Sequence, residues 1–193
     1  TFGRIRRIRS KAIDLLDFRP DHKILDLGCG TGAMTIQIAQ RLKSPGGIVG
    51  IDAAANMIRV ANKNLEKAGL DDRCNFKVAL AEKLPFEDGA FDYCFSSMFY
   101  HHLPLELKIA SIREAYRILK PGGTFVSIDV DKPGNIFARA IVMAAYLLLF
   151  QPAIRENAEG VLPALIMEAG FEGLELIQRQ WDMISVFRAI KPM

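Results

Sequence analysis

Ile24-Leu25-Asp26-Leu27-Gly28-Cys29-Gly30-Thr31-Gly32 limits what this chain can fold into more than any other stretch. Ile24, Leu25 and Leu27 make a short apolar run of the kind that fills a buried parallel strand. Three glycines at alternate positions then remove each Cβ where the backbone must turn and pass close to another molecule. Thr31 stands where it can cap the helix that follows. Asp26 sits at the carboxyl end of the strand, the edge at which open α/β sheets bind ligands. Strand, glycine turn and helix in that order read as a nucleotide-cofactor site. A carboxylate at this place suits a cationic or amine-bearing cofactor better than a pyrophosphate.

Two cofactor types fit the glycines. Gly28-x-Gly30-x-x-Ala33 satisfies the loose dinucleotide fingerprint, and Asp52, roughly 20 residues on, stands where an acid binds ribose hydroxyls in either case. The order Asp-x-Gly-x-Gly-x-Gly is narrower and resembles motif I of the class I S-adenosylmethionine-dependent methyltransferases. Ile48-Val49-Gly50-Ile51-Asp52 is a second apolar strand ending in an acid. Leu84-Pro85-Phe86-Glu87-Asp88-Gly89-Ala90-Phe91-Asp92 resembles that family's "LPF…FD" segment, and Leu119-Lys120-Pro121-Gly122-Gly123 its "LKPGG" turn. The four motifs, in order, cover about residues 20 to 130.

Hydrophobic periodicity places strands near 23–27, 48–52, 74–79, 91–96, 122–129, 171–179 and 182–190, with helices near 4–17, 32–43, 55–68, 104–119 and 157–169. Alternating elements imply a parallel sheet. The last two strands are joined too tightly for a crossover helix and should form an antiparallel hairpin. The expected fold is α/β: a single Rossmann-like, doubly wound seven-stranded sheet, mostly parallel, with an antiparallel C-terminal hairpin, in one domain over 1–193. Cys29, Cys74 and Cys94 lie in or beside expected strands without metal-ligand spacing, and read as reduced thiols of a cytoplasmic protein.

The resemblance implies S-adenosyl-L-methionine as cofactor and S-adenosyl-L-homocysteine as product. Asp26 with Gly28, Cys29, Gly30, Thr31 and Gly32 would hold the methionine end, Asp52 the ribose, and Leu80, Ala81 and Glu82 the adenine, with Ala53 a further cofactor-binding residue. Met57 would border the adenine or pack in the core, and Ser96 would contact the cofactor from the fourth strand. Related enzymes often carry Gly-Asp-Ala-Glu where this chain has Ala79-Leu80-Ala81-Glu82; Leu80 cannot accept a hydrogen bond, so weaker cofactor binding is expected. The run from Ser96 to Leu103 resembles the "HHL" segment of many small-molecule methyltransferases. His101 or His102 could there deprotonate a phenol, enol or amine near neutral pH. The other reading makes the histidines helix caps or backbone partners.

Nucleic acid is disfavoured as substrate: no proline-rich turn follows the fourth strand, Cys94 lies within that strand, and the net charge is only +3. The insertion 132–156 contains an almost uncharged stretch, 136–150, in which Arg139 is the one charge. It is shorter than the roughly 20 residues a membrane span requires. It reads either as a core or homodimer-interface helix, or as a lid walling an apolar acceptor pocket and making peripheral membrane contact. With its Asp131-Lys132-Pro133 turn and the basic leading helix, it resembles ubiquinone/menaquinone C-methyltransferases and phospholipid N-methyltransferases. The leading cluster Arg4, Arg6, Arg7, Arg9 and Lys11 reads as a solvated helix face. Helical period runs from Phe2 to Leu16 with neither cap nor initiator Met, so 1–20 reads as a helix that has lost its beginning. The expected activity is methylation of a small, apolar acceptor. The rivals are a nucleic-acid methyltransferase, a cofactor-binding protein without catalysis, and an NAD-dependent oxidoreductase.

Overall fold

A computed structural model describes residues 2–42, 47–148 and 153–193. Its strands are β1 (Ile24–Leu27), β2 (Ile48–Asp52), β3 (Cys74–Val78), β4 (Phe91–Ser97), β5 (Leu119–Val130), β6 (Glu172–Gln180) and β7 (Ile184–Ile190). They form one sheet in the order β3-β2-β1-β4-β5-β7-β6. β1 lies parallel between β2 and β4, with Leu27 opposite Ile51 on one side and Ser96 on the other. Buried on both faces, it has no polar alternation and is apolar apart from Asp26. Strand order reverses between β1 and β4, which makes the carboxyl edge there the place for a ligand.

The helices are α1 (Phe2–Asp14), α2 (Ala33–Arg41), α3 (Ala55–Ala68), α4 (Leu105–Ile118), α5 (Ile136–Leu148), α6 (Ala153–Ala158) and α7 (Val161–Glu168). Ile24, Ile48, Phe95 and Val126 pack on one sheet face with Ile8 and Ile13 of α1 and Ile38 of α2. Leu25, Leu27, Cys94 and Phe125 pack on the other with Ile112 of α4 and Ile166 of α7. Each such side chain, fully withdrawn from water, stabilises the fold by about 1.5–3 kcal/mol before conformational entropy is subtracted.

The expected hairpin is present: β6 pairs antiparallel with β7, which pairs antiparallel with β5. Trp181 and Asp182, at φ 50° and 52°, form its tight turn. Two expectations need correction. The helix near 157–169 is two helices, because Gly160 takes φ 84° ahead of α7 and breaks the rod. Thr31 does not cap α2: Gly32, at φ 79°, occupies the N-cap without a side-chain bond. Part of the 136–150 stretch, residues 149 and 150, lies outside the described residues.

Candidate active site

The three glycines of the turn lack a Cβ for two different reasons. At Gly28 (φ 68°) a Cβ would overlap the Phe99 ring, and at Gly32 it would overlap Phe76. At Gly30 (φ 54°) nothing lies within 4 Å. Gly28 and Gly32 are therefore fixed by packing, whereas Gly30 opens onto free space that a ligand can enter.

Asp52, ending β2, accepts from Gly30 N at 2.9 Å through Oδ2 and from Ala54 N at 2.9 Å through Oδ1. These bonds aim its carboxylate across the turn and leave each oxygen a further lone pair, as a ribose diol requires. Ala79 N donates to Asp52 O at 3.1 Å, bringing the loop after β3 to the same edge. There Leu80 is 51% exposed and Met57 44% exposed, while Ala81 is buried and Glu82 partly exposed. Met57 is thus no core residue. With exposed Ala53, these side chains offer apolar surface for a heteroaromatic ring beside Asp52. Free space at Gly30, an acceptor pair at Asp52 and an apolar border fit the nucleoside cofactor implied by the sequence.

Asp26 is placed differently from the expectation. Only 1% exposed, it accepts from Thr35 N (3.0 Å) and Thr35 Oγ1 (2.6 Å), tying β1 to the first turn of α2. Burial pushes its carboxyl up to about 6, against the pull of the Thr35 bonds and the nearby Arg9 charge. It locks α2 onto β1 from beneath the turn. Cys29, whose thiol burial pushes well above its ordinary value, donates its N–H to Ile51 O at 2.8 Å. Ser96 also departs from expectation: it is enclosed in the sheet, and its neighbour Ser97 reaches the edge, where its Oγ accepts from Arg9 Nε at 2.8 Å. Arg9 is therefore not part of a solvated row, although Arg6, Arg7 and Lys11 are exposed.

The turn after β4 is organised by Asp129, a residue for which no role is expected from the spacing of the motifs. Asp129, near the end of β5 and 1% exposed, accepts from Phe99 N (2.9 Å) and Tyr100 N (2.7 Å) through Oδ2. Its Oδ1 meets Val130 N (2.7 Å) and His101 Nδ1 (2.6 Å). Burial alone would raise this carboxyl, but the His101 charge and hydrogen bond and the backbone donors outweigh it and hold it below the ordinary carboxylate range. An ionised carboxylate only accepts, so His101 carries a proton on Nδ1, and a neutral His101 ring held this way has its lone pair on Nε2, the form of a general base. The turn that delivers this is strained: Met98, not a glycine, sits at φ 58° directly before Phe99. His101 and His102 do not cap α4, whose N-cap is Pro104 without a side-chain bond. His102 is exposed and its ring lies 3.9 Å from that of His101; partial burial and His101 lower its pKa, so it stays neutral near pH 7.

Helix α6, which begins within the insertion, reaches this dyad. Buried Asn157 of α6 donates to Val130 O at 3.1 Å and lies 3.5 Å from Asp129 Oδ1. Lys108 of α4, fully buried, latches α6 by donating to Ala153 O at 2.9 Å and to the Glu156 carboxylate. α5 touches the body through Ala138 and Val142, and exposes Ile136, Phe137, Ile141 and Leu147, so it is not a core helix. Beside it lies a cavity of about 600 Å³ lined by Lys132, Arg139, Val142, Met143 and Arg155 among others. Among the described residues no helix is long and apolar enough to cross a membrane.

Residues 24–123 match the family model described as a methyltransferase domain. The ubiquinone/menaquinone biosynthesis C-methyltransferase UbiE of Ectopseudomonas mendocina is 30% identical over 199 residues, covering 93% of this chain and 77% of that protein. Among solved structures, a Bacillus halodurans protein superposes with a TM-score of 0.77 at 19% identity, covering 96% of this chain and 99% of its own. The [4+2]-cyclase SpnF superposes with a TM-score of 0.72 at 21% identity, covering 97% and 82%. Likenesses at that identity establish the fold alone.

Proposed function

The chain belongs to the methyltransferase-domain family as a class I S-adenosylmethionine-dependent methyltransferase, and from that premise we propose that it methylates a small, apolar acceptor of quinol-like or lipid-like kind with His101 as general base. The observation that carries this is the 2.6 Å hydrogen bond that His101 Nδ1 donates to Asp129 Oδ1, at the carboxyl edge of the sheet onto which Gly30 opens. When bound, S-adenosylmethionine supplies an electrophilic methyl group. Asp52 holds the ribose, and Gly30 lets the methionine end approach the backbone. His101 Nε2 takes the proton of an acceptor hydroxyl or acidic carbon, and Asp129 stabilises the resulting imidazolium. Much of the remaining rate comes from alignment, because displacement at a methyl group requires close in-line approach.

The acceptor class is supported by the similarity to UbiE and by α5, where Ile136 and Phe137 are 76% and 79% exposed. Arg139, Lys132 and Arg155 lie alongside and complement an anionic lipid surface. In this reading α5 rests on the membrane from which an apolar acceptor is drawn. Incubation with methyl-labelled cofactor and a panel of quinols, lipid headgroup amines and oligonucleotides tests it. Label should enter the quinol or lipid fraction; label in oligonucleotide alone would overturn the acceptor class. Co-sedimentation with anionic vesicles, lost in Phe137→Ser, tests the contact; dimerisation through the same face in place of vesicle binding would refute it.

A further inference from the structure

We propose that Asn157 is a positioning residue for proton transfer and that the buried Lys108 seats it, an inference that rests on the reading of His101 as base above. Asp129 Oδ1, the oxygen that orients His101, meets three donors: His101 Nδ1 at 2.6 Å, Val130 N at 2.7 Å and Asn157 Nδ2 at 3.5 Å. The first two come from the turn after β4 and from β5 itself; the third is delivered by α6, 28 residues beyond Asp129. Nδ2 also donates to Val130 O at 3.1 Å. Both partners are acceptors, so only the nitrogen of the amide can face them. Asn157 thereby spans the backbone of β5 and the side chain of Asp129, and limits the rotation of the carboxylate. A carboxylate free to turn would let the imidazole turn with it and carry Nε2 away from the acceptor's proton. Misplacement of a reacting group by about 1 Å can cost about 100-fold in rate.

Helix α6 packs against Tyr100–His102, the segment that carries both histidines. It cannot hold this place by itself, because Ala153–Ala158 is six residues long and far too short to be a stable helix in isolation. Ile154 packs it on Val130 and Val142, an apolar contact without direction. Lys108 supplies the direction. On α4 and 0% exposed, it donates from Nζ to Ala153 O at 2.9 Å and to the Glu156 carboxylate. Burying an ammonium is costly, and an apolar side chain would fill the place at lower cost. What the ion pair adds is a fixed rotation of α6. Glu156 and Asn157 are consecutive, so they point about 100° apart around the helix axis. Lys108 on one and Asp129 on the other grip neighbouring faces and leave α6 a single setting, in which Asn157 meets the dyad. His101 and Asp129 handle the proton; Lys108 and Asn157 keep those two aligned.

Proton NMR of the His101 ring and steady-state methyl transfer to a quinol acceptor, measured on the same protein, test the assignment. In Asn157→Leu, which keeps the volume and removes the donor, the Nδ1 proton should exchange with water about tenfold faster than in wild type, because its bond to Asp129 opens more often. There kcat should fall about 10- to 100-fold, with the KM of the acceptor and S-adenosylhomocysteine affinity within about twofold of wild type. Lys108→Met should reproduce this pattern, and Glu156→Gln, which keeps an acceptor for Nζ, should lie between. The two changes Lys108→Met and Asn157→Leu combined should be no worse than the more damaging one alone, since both act through the seat of α6. Ile48→Val lowers stability from the amino end of β2 and should leave both kcat and the exchange rate unchanged, which separates misalignment from general loosening. Glu156→Gln gives the same reading where Asn157→Leu does not fold. Wild-type exchange of the Nδ1 proton in Asn157→Leu, or a cofactor affinity that falls in step with kcat, would overturn the role of Asn157. Full turnover by His101→Ala would instead overturn the base itself, and the inference with it. An inactive His101→Ala beside an unimpaired Asn157→Leu overturns the inference alone.

Discussion

Asp129→Asn removes one charge and almost no volume, and its consequence follows from counting donors. The carboxylate accepts from Phe99 and Tyr100 through Oδ2, and from Val130 and His101 through Oδ1. If the new amide nitrogen takes the Oδ2 place, two buried N–H groups lose their acceptor, at about 1–3 kcal/mol each. If it takes the Oδ1 place, the Val130 N–H is orphaned and the Asn157 amide keeps only its bond to Val130 O, while His101 adapts by accepting at Nδ1 and moving its proton to Nε2. The second arrangement is cheaper. The variant should therefore stay folded, about 1–3 kcal/mol less stable in urea titration, with the wrong histidine tautomer. Turnover should fall by about 10²–10⁴, the usual contribution of a general base, while S-adenosylhomocysteine binding holds. Nitrogen NMR of the His101 ring reads the tautomer directly. Turnover within about threefold of wild type, with the tautomer switched, would refute the reasoning that makes Nε2 the base.

Asp52→Ala should weaken S-adenosylhomocysteine binding by about 1.5–3 kcal/mol, as expected for losing an ionised acceptor; unchanged affinity in calorimetry would remove Asp52 from the site. Asp26 and Asp129 should give opposite pH signatures. Asp26 is raised from 3.8 to about 6, so its ionisation opposes folding, and Asp26→Asn should gain stability relative to wild type as pH rises from about 4 to 6, by up to about 3 kcal/mol. Asp129 is lowered, so its stabilisation is complete above the ordinary carboxylate range and is lost as pH falls below it; melting curves from pH 3 to 8 separate the two. Gly30→Ala, with free space but φ 54°, should cost the fold about 1–2 kcal/mol yet abolish tight cofactor binding, whereas Gly28→Ala should cost more stability because the Phe99 ring must move. Equal melting temperatures for the two variants would contradict this.

The glycine turn, the parallel sheet and the C-terminal hairpin were legible because each rests on local spacing. What escaped depends on partners distant in sequence. Asp129 was visible as an acid at a strand's carboxyl end, but its meaning comes from His101, 28 residues earlier. Ser96 and Ser97 are both buried, and the one-residue step between them exchanges sheet faces, so that only Ser97 meets Arg9 of α1. Arg9 could have been found, since it stands at an apolar-stripe position, but reading the basic cluster as a unit concealed it. The cap of α2 went to Gly32 because Asp26, from inside the strand, already accepts from Thr35 N. At 157–169 the apolar period continues through Leu162, Leu165 and Ile166, and only the left-handed Gly160 reveals the break.

The central claim is that His101 moves the acceptor's proton. It is tested most directly by the rate of methyl transfer to a quinol acceptor in wild type, His101→Ala and His102→Ala, each saturated with cofactor. The account predicts a loss of about 10²–10⁴ in His101→Ala, little change in His102→Ala, and the same S-adenosylhomocysteine affinity in all three. Full turnover by His101→Ala would contradict it.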